Sequence, residues 1–223
     1  MMSFVIQASS GGGFTPVPPG MHLARCYRIV DLGTQQSEYM GVVKNLPKLM
    51  MQWEVHSEDD LGNPLVTSKG EPMTISKNYT VSLSENATLR KDLVTWRGRD
   101  FTPEELKGFE LGNVLGHWAM ISVSRSTGNN GKEYTNITTI NPVPANIKKQ
   151  GLPEAYNKSQ MFVLSDPDMS IWETLSDGLK AKIEKSPEWQ SRRVTHTSAA
   201  QAPAAPVVKP AVKYDDLDDD LPF

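Results

Sequence analysis

From Met73 to Leu83 the chain alternates between two kinds of side chain, and a period of two is the signature of a strand with one face on a core. Met73, Ile75, Lys77, Tyr79, Val81 and Leu83 share one face, opposite Thr74, Ser76, Asn78, Thr80 and Ser82. Two earlier stretches alternate in the same way. His22 to Leu32 sets Leu23, Arg25, Tyr27, Ile29 and Asp31 against Ala24, Cys26, Val30 and Leu32, so both of its faces are partly apolar. Lys48 to His56 sets Leu49, Met51, Trp53 and Val55 against Gln52, Glu54 and His56, and Gly33 to Pro47 reads as a long loop between these two strands. The turn-rich stretch Ser57 to Pro72, with Leu-Gly-Asn-Pro and Lys-Gly-Glu-Pro, returns the chain to the third strand.

After Ser84 the period changes. Leu89, Leu93 and Trp96 recur at helical spacing, and Thr102-Pro103-Glu104-Glu105 is a helix start with Thr102 as N-cap and Glu105 closing a capping box. Two more strands follow, Gly116 to Ser126 and Lys132 to Pro142, joined by the glycine-rich turn Thr127 to Gly131. The predicted class is mainly β. Five strands with short helices between the third and fourth is the order of the five-stranded Greek-key barrel called the OB-fold, which binds oligonucleotides on its central strands and connecting loops.

The segment Asn146 to Ser165 shows no clear period, and Ser170 to Lys185 is predicted as one helix, with Ile171, Leu175, Leu179 and Ile183 as its apolar stripe and Pro187 as its stop. Such a helix fits a brace on the barrel. The expected organisation is a flexible arm over 1–19, the barrel over 20–145, a helical extension over 146–194, a disordered Ala-Pro-Val-rich linker over 195–214 and an acidic tip over 215–223. One cysteine, Cys26, excludes an internal disulfide and zinc sites built from Cys pairs, and fits a reducing compartment. With neither a signal peptide nor an apolar run approaching the roughly 20 residues of a membrane span, the expected location is the cytoplasm.

Charge divides the chain. Overall there are 23 Lys and Arg against 26 Asp and Glu, but five of the aspartates fall in the tip, which leaves the body mildly basic at about +2. The tip reads Asp215-Asp216-Leu217-Asp218-Asp219-Asp220-Leu221-Pro222-Phe223. Its carboxylates repel one another and cannot pack in a core, while Leu221, Pro222 and Phe223 expose apolar area that no neighbouring segment covers. The asymmetry suggests an anionic partner for the body and a basic one for the tip.

This ending resembles the acidic tail of bacterial single-stranded-DNA-binding proteins, and the resemblance implies docking into a basic pocket on replication and repair enzymes. The body carries Tyr79-Thr-Val-Ser-Leu83, Leu89-Arg-Lys-Asp-Leu93, Trp96-Arg-Gly-Arg99, Phe101-Thr-Pro-Glu-Glu-Leu106 and Lys132-Glu-Tyr134. Across about residues 17 to 145 it is similar to a family of bacteriophage single-stranded-DNA-binding proteins with an OB-type barrel. That similarity implies a phage replication or recombination protein acting in a bacterial host cytoplasm.

A single-strand binder needs cations for phosphates and aromatic faces for bases on one surface. The candidates by position are Lys44 and Lys48 at the end of the first loop, Trp53 on the second strand, Lys77 and Tyr79 on the third, and Arg125, Lys132 and Tyr134 around the last hairpin. Trp53 is equally well placed for the core beside Met51 and Val55. Arg90, Lys91, Arg97 and Arg99 form a second basic set that fits ion pairs with Asp92, Asp100 and Glu104. Catalysis finds little support: His22, His56, His117 and His196 are dispersed, no Gly-Lys-Ser/Thr loop is present, and a carboxylate run cannot converge on a metal unless held by different rigid elements. The expectation is a non-enzymatic protein without cofactors that coats single-stranded DNA and recruits enzymes through its tip. The alternative is an adaptor whose tip mimics the tail of the host protein.

Overall fold

The computed structural model describes residues 16–39, 41–128, 131 and 133–197. The fold is mainly β, an antiparallel sheet with one short strand added in parallel and several short helices. The strands are β1 (Gly20–Tyr39), β2 (Val42–Val55), β3 (Thr74–Thr80), β4 (Trp118–Thr127), β5 (Glu133–Asn141) and β6 (Gln160–Phe162). Their order across the sheet is β3-β2-β1-β4-β5, with β6 parallel to β1. The helices α1 (Thr88–Arg97) and α2 (Pro103–Lys107), followed by a 3-10 turn at Leu111–Val114, lie between β3 and β4. The outermost strands β3 and β5 touch each other, and α1 packs on both.

β1 organises the sheet because it pairs with β4 through its first residues and with β2 from Ala24 onward. Its register against β2 shifts twice, between Cys26 and Arg28 and between Asp31 and Gly33. Each extra residue bends the strand and reverses which parity faces the core. Ala24, Cys26 and Ile29 therefore enter one apolar cluster with Met51, Trp53, Ile121 and Ile137, while Val30 and Leu32 enter a second cluster on the other side of the sheet. The sequence expectation placed Cys26 with Val30 and Leu32, since a strict alternation does not contain the bulges. Cys26 itself is fully buried, as a small core residue should be, and burial pushes its thiol up to about 12.

The second cluster is completed by the C-terminal extension. Phe162 of β6 and Leu164 just beyond it, Ile171, Trp172 and Leu175 around α4 (Met169–Glu173) and Ile183 of α5 (Asp177–Glu184) cover Val30, Leu32 and Met50. Trp172 stacks on Trp189 of α6 (Pro187–Thr197) with centroids 4.2 Å apart. The brace expected from the apolar stripe is present, but its details differ. The predicted helix over 170–185 breaks at Thr174–Ser176, and Pro187 starts a helix instead of stopping one: the Trp189 amide donates to Ser186 Oγ, which leaves Pro187 at the first helical position where its missing N–H is harmless. A short helix α3 (Ala145–Gln150) and β6 lie in the segment without a clear period.

Two further expectations are corrected. The loop predicted over Gly33–Pro47 is a hairpin arm: β1 and β2 stay paired out to Tyr39 and Val42, beyond the last residues that pair with β3 or β4. The flexible arm predicted over 1–19 is tied down at its end, where Val17 is buried and His22 Nε2 donates to the Pro18 carbonyl over 2.8 Å. Residues 1–15, the 198–214 part of the linker and the tip lie outside the described residues. The capping box at Thr102 and Glu105 is formed as expected. No helix among the described residues is long and apolar enough to cross a membrane.

Candidate functional site

The alternation on β3 divides its residues between two environments. Ile75 and Tyr79 lie in the first core, and Lys77 shares their side of the strand, where its Nζ donates to Asp92 Oδ2 of α1 over 2.7 Å. The Tyr79 hydroxyl donates to the same oxygen over 2.8 Å, and burial together with that carboxylate raises its pKa well above the usual phenol range. Both residues thus serve the seam between β3 and α1. Trp53 is fully buried and stacks obliquely on Trp96 at 6.3 Å, so its ring has no free face for a base. Of its two sequence-level placements, the core is the one realised.

The opposite, small and polar side of β3 faces a groove of about 580 Å³. Its floor follows from the strand register. Arg28, Gln52 and Ser76 form one row across β1, β2 and β3; Val30, Met50 and Asn78 form the next; Lys48 and Thr80 stand at the end of the same face. Thr174, Ser176, Gly178, Leu179 and Lys182 of the extension supply one wall. Thr135 of β5 borders it as well.

The groove lining contains two cations, Arg28 and Lys182, and no carboxylate. Arg28 donates to Gln160 Oε1 at 3.0 and 2.6 Å and to Thr174 Oγ1 at 3.2 Å, so its partners among the described residues are neutral and its charge remains available. Lys182 is half-buried; burial first and the nearby Lys48 second lower its pKa. Lys48 Nζ donates to Thr80 Oγ1 over 2.6 Å. A channel of hydroxyls, amides and ammonium groups suits an anion bearing hydrogen-bonding groups. No aromatic ring lines it.

No protein-family model matches the chain, and no curated protein matches its sequence.

The residues singled out from sequence do not converge on one surface. Lys48 stands at the end of the groove floor, while Lys44 is exposed on the hairpin arm opposite Ser37, beside exposed Val42 and Val43. Arg125 forms an ion pair with Glu133 at 3.3 Å with both side chains about half exposed, and Tyr134 is exposed next to Thr135. Lys132 lies outside the described residues, as do Asp215, Asp216, Asp218, Asp219, Asp220, Leu221, Pro222 and Phe223. The second basic set makes ion pairs as expected, Arg90 with Asp100, but Arg97 and Arg99 meet Glu105 where Glu104 was expected. Among the described residues no cluster of His, Cys, Asp and Glu is placed to hold a metal ion.

Sequence reasoning missed Arg28, Gln52, Asn78 and Lys182. A usable signal existed for part of this set: a strand whose outward residues are all small and polar leaves an unusually open face, and Thr74, Ser76 and Asn78 were visible as such. Lys182 offered no signal, because its place depends on how the extension docks.

The wall is held by a buried polar network at the start of the extension. Glu54 is fully buried on β2 and accepts from the backbone amides of Tyr156 and Asn157 at 3.2 and 2.7 Å and from Asn157 Nδ2 at 2.7 Å. Arg25 lies 3.3 Å from it and also donates to the carbonyls of Gly116 and Asn157 and to Ser159 Oγ. Burial opposes ionisation of Glu54, but His56 at 3.3 Å and the Asn157 donors outweigh it and hold the carboxyl at about 2. The charges of Glu54 and Arg25 are tolerated this deep because these donors and acceptors hydrogen-bond them.

Proposed function

We propose that this chain is a non-enzymatic single-stranded DNA-binding protein of a bacteriophage, built on an OB-type barrel, with its DNA strand in the groove over β1, β2 and β3. The observation that carries the proposal is the groove itself, lined by Arg28 and Lys182 with no carboxylate, on the outer face of the central strands. The barrel reading draws support from the strand order β3-β2-β1-β4-β5 and from the contact between its outermost strands. OB-folds bind oligonucleotides on this face. The resemblance of the body to phage single-strand binders and the mildly basic charge outside 215–223 point the same way.

With no aromatic ring in the lining, affinity rests on phosphate charge and on hydrogen bonds from Gln52, Ser76 and Asn78. Weak preference for base identity and steep salt dependence follow. The acidic segment Asp215–Phe223 engages basic pockets on replication or recombination enzymes, on the strength of its charge and its Leu-Pro-Phe motif. A titration of labelled oligo-dT against rising salt, beside a duplex control, tests the proposal: saturable binding that salt weakens is expected, and Arg28→Glu should abolish most of it. Absence of saturable binding would leave the adaptor alternative, in which the barrel binds protein and the acidic segment mimics the tail of the host protein.

A further inference from the structure

Gln160, Arg28, Gln52 and Ser76 stand in one row across β6, β1, β2 and β3. The second core sets one end of that row. Phe162 is fully buried opposite Val30, and residues two apart on a strand share a face, so the docking that buries Phe162 also brings Gln160 beside Arg28.

Three of the five N–H donors of the Arg28 guanidinium are taken. Nε and Nη2 donate to Gln160 Oε1 over 3.0 and 2.6 Å, and Nη2 donates to Thr174 Oγ1 over 3.2 Å. The Thr174 hydroxyl gives its own proton to the Ile171 carbonyl over 2.7 Å, so towards Arg28 it can only accept. Both partners are neutral, and both belong to the C-terminal extension. Nη1, with the two remaining donors, has no acceptor among the described residues, and Arg28 lines the groove.

The chain treats a second arginine on the same strand differently. Arg25, three residues earlier on β1, is matched by the carboxylate of Glu54 at 3.3 Å. At Arg28 the same kind of strap between sheet and extension leaves the charge whole. A planar cation held in a fixed orientation with free donors suits a phosphate oxygen, and a fork that is already ordered loses less side-chain entropy on binding.

We infer that Gln160 and Thr174 are positioning residues that preset Arg28 as a phosphate donor through Nη1, so that the extension takes part in recognition without itself touching the phosphate. The inference rests on the single-strand reading above and adds to it the ligand group at Arg28 and a role for the extension.

The test is oligo-dT binding by the full chain over a range of salt, in the wild type, Gln160→Glu, Arg28→Gln and the double variant. Gln160→Glu keeps the shape of the side chain but places a carboxylate on the guanidinium, which strengthens the strap and neutralises the charge. Its Tm should equal or exceed that of the wild type, while the slope of log affinity against log salt should fall by about 0.7, the share of one phosphate contact on a single strand. Arg28→Gln should lower the slope by the same amount, and adding Gln160→Glu to it should change slope and affinity little further, since both act through one contact. Wild-type slope and affinity in Gln160→Glu would overturn the inference and leave Arg28 as a strap. A further loss of affinity on adding Gln160→Glu to Arg28→Gln would also overturn it, because a carboxylate that merely repels DNA does so with or without the arginine. If Arg28→Gln does not fold, Gln160→Met decides instead. It adds no charge, so the slope should stay and affinity should fall by about two- to tenfold, the cost of ordering one long side chain on binding. Unchanged affinity in that variant would overturn the inference while leaving the groove reading intact, and absence of salt-weakened binding by the wild type would overturn both together.

Discussion

Replacing Glu54 by Gln should destabilise the protein at neutral pH by about 3.5 kcal/mol, and the deficit should vanish in acid. The magnitude follows from the carboxyl group's shift from 4.5 to about 2 on folding, about 2.5 units at roughly 1.4 kcal/mol each. The sign is set by the direction of the shift. A carboxylate with a depressed pKa contributes its full stabilisation above the unfolded value, and the contribution is lost as pH falls from 4.5 through 2. Glutamine has the shape of the protonated acid, so the variant resembles the wild type at pH 2 and lacks its anion at pH 7. The removed charge also leaves Arg25, with only 11 % of its side chain exposed, without its carboxylate. Breaking a buried pair of this kind costs about 3 to 5 kcal/mol, and the carbonyl and hydroxyl acceptors that Arg25 retains favour the lower end. Urea unfolding followed by tryptophan fluorescence, at pH steps from 7 to 2, gives the difference between the two proteins directly and cancels the other titrating carboxylates. A difference that stays constant across that range would refute the assignment of this stabilisation to the Glu54 anion.

Tyr79→Phe removes one donor from Asp92 while Lys77 remains, so it should cost about 1 to 2 kcal/mol in urea unfolding and leave oligo-dT affinity unchanged; a large loss of affinity would place Tyr79 in the interface after all. Gly33→Ala forces a side chain into Ser186 and Leu164 at a left-handed backbone position, and should lower stability by at least about 2 kcal/mol, read as a reduced urea midpoint. Deleting Asp215–Phe223 should leave oligo-dT affinity equal or slightly higher, with the gain fading as salt rises, because its five aspartates compete with phosphates for the cationic groove. Loss of affinity on that deletion would contradict the competition.

The strands and their order were legible because each carries its own period, and the switch to helical spacing after Ser84 was clear from Leu89, Leu93 and Trp96. The two bulges in β1 were not, since an extra residue changes the face of everything beyond it without altering composition. The hairpin arm escaped because Gln35 to Glu38 is polar throughout and has no third strand to impose an alternation. The contacts of Lys77 and Tyr79 escaped for a different reason: an inward lysine is satisfied by Asp92, fifteen residues away on another element, and no local pattern announces such a partner. The three-residue β6 is too short to show any period.

The bulges in β1 go with the two-sided burial of β1 and β2. A strand with apolar residues on both faces needs two covers, and here α1 with its neighbours supplies one while the extension supplies the other. The sequence boundary at 145/146 therefore separates segments but does not separate cores, because Val30, Leu32 and Met50 are buried only under Phe162, Trp172 and Ile183. That arrangement also explains why the groove exists. The extension covers the apolar end of the outer face, β6 adds a third partner to β1 at Arg28, Ile29 and Val30, and the polar rows Arg28–Gln52–Ser76 and Asn78 beyond its wall are left open. The second core and the groove wall are consequently linked through one piece of chain: whatever loosens the extension from the sheet removes Lys182 from the groove and exposes the second core in the same step.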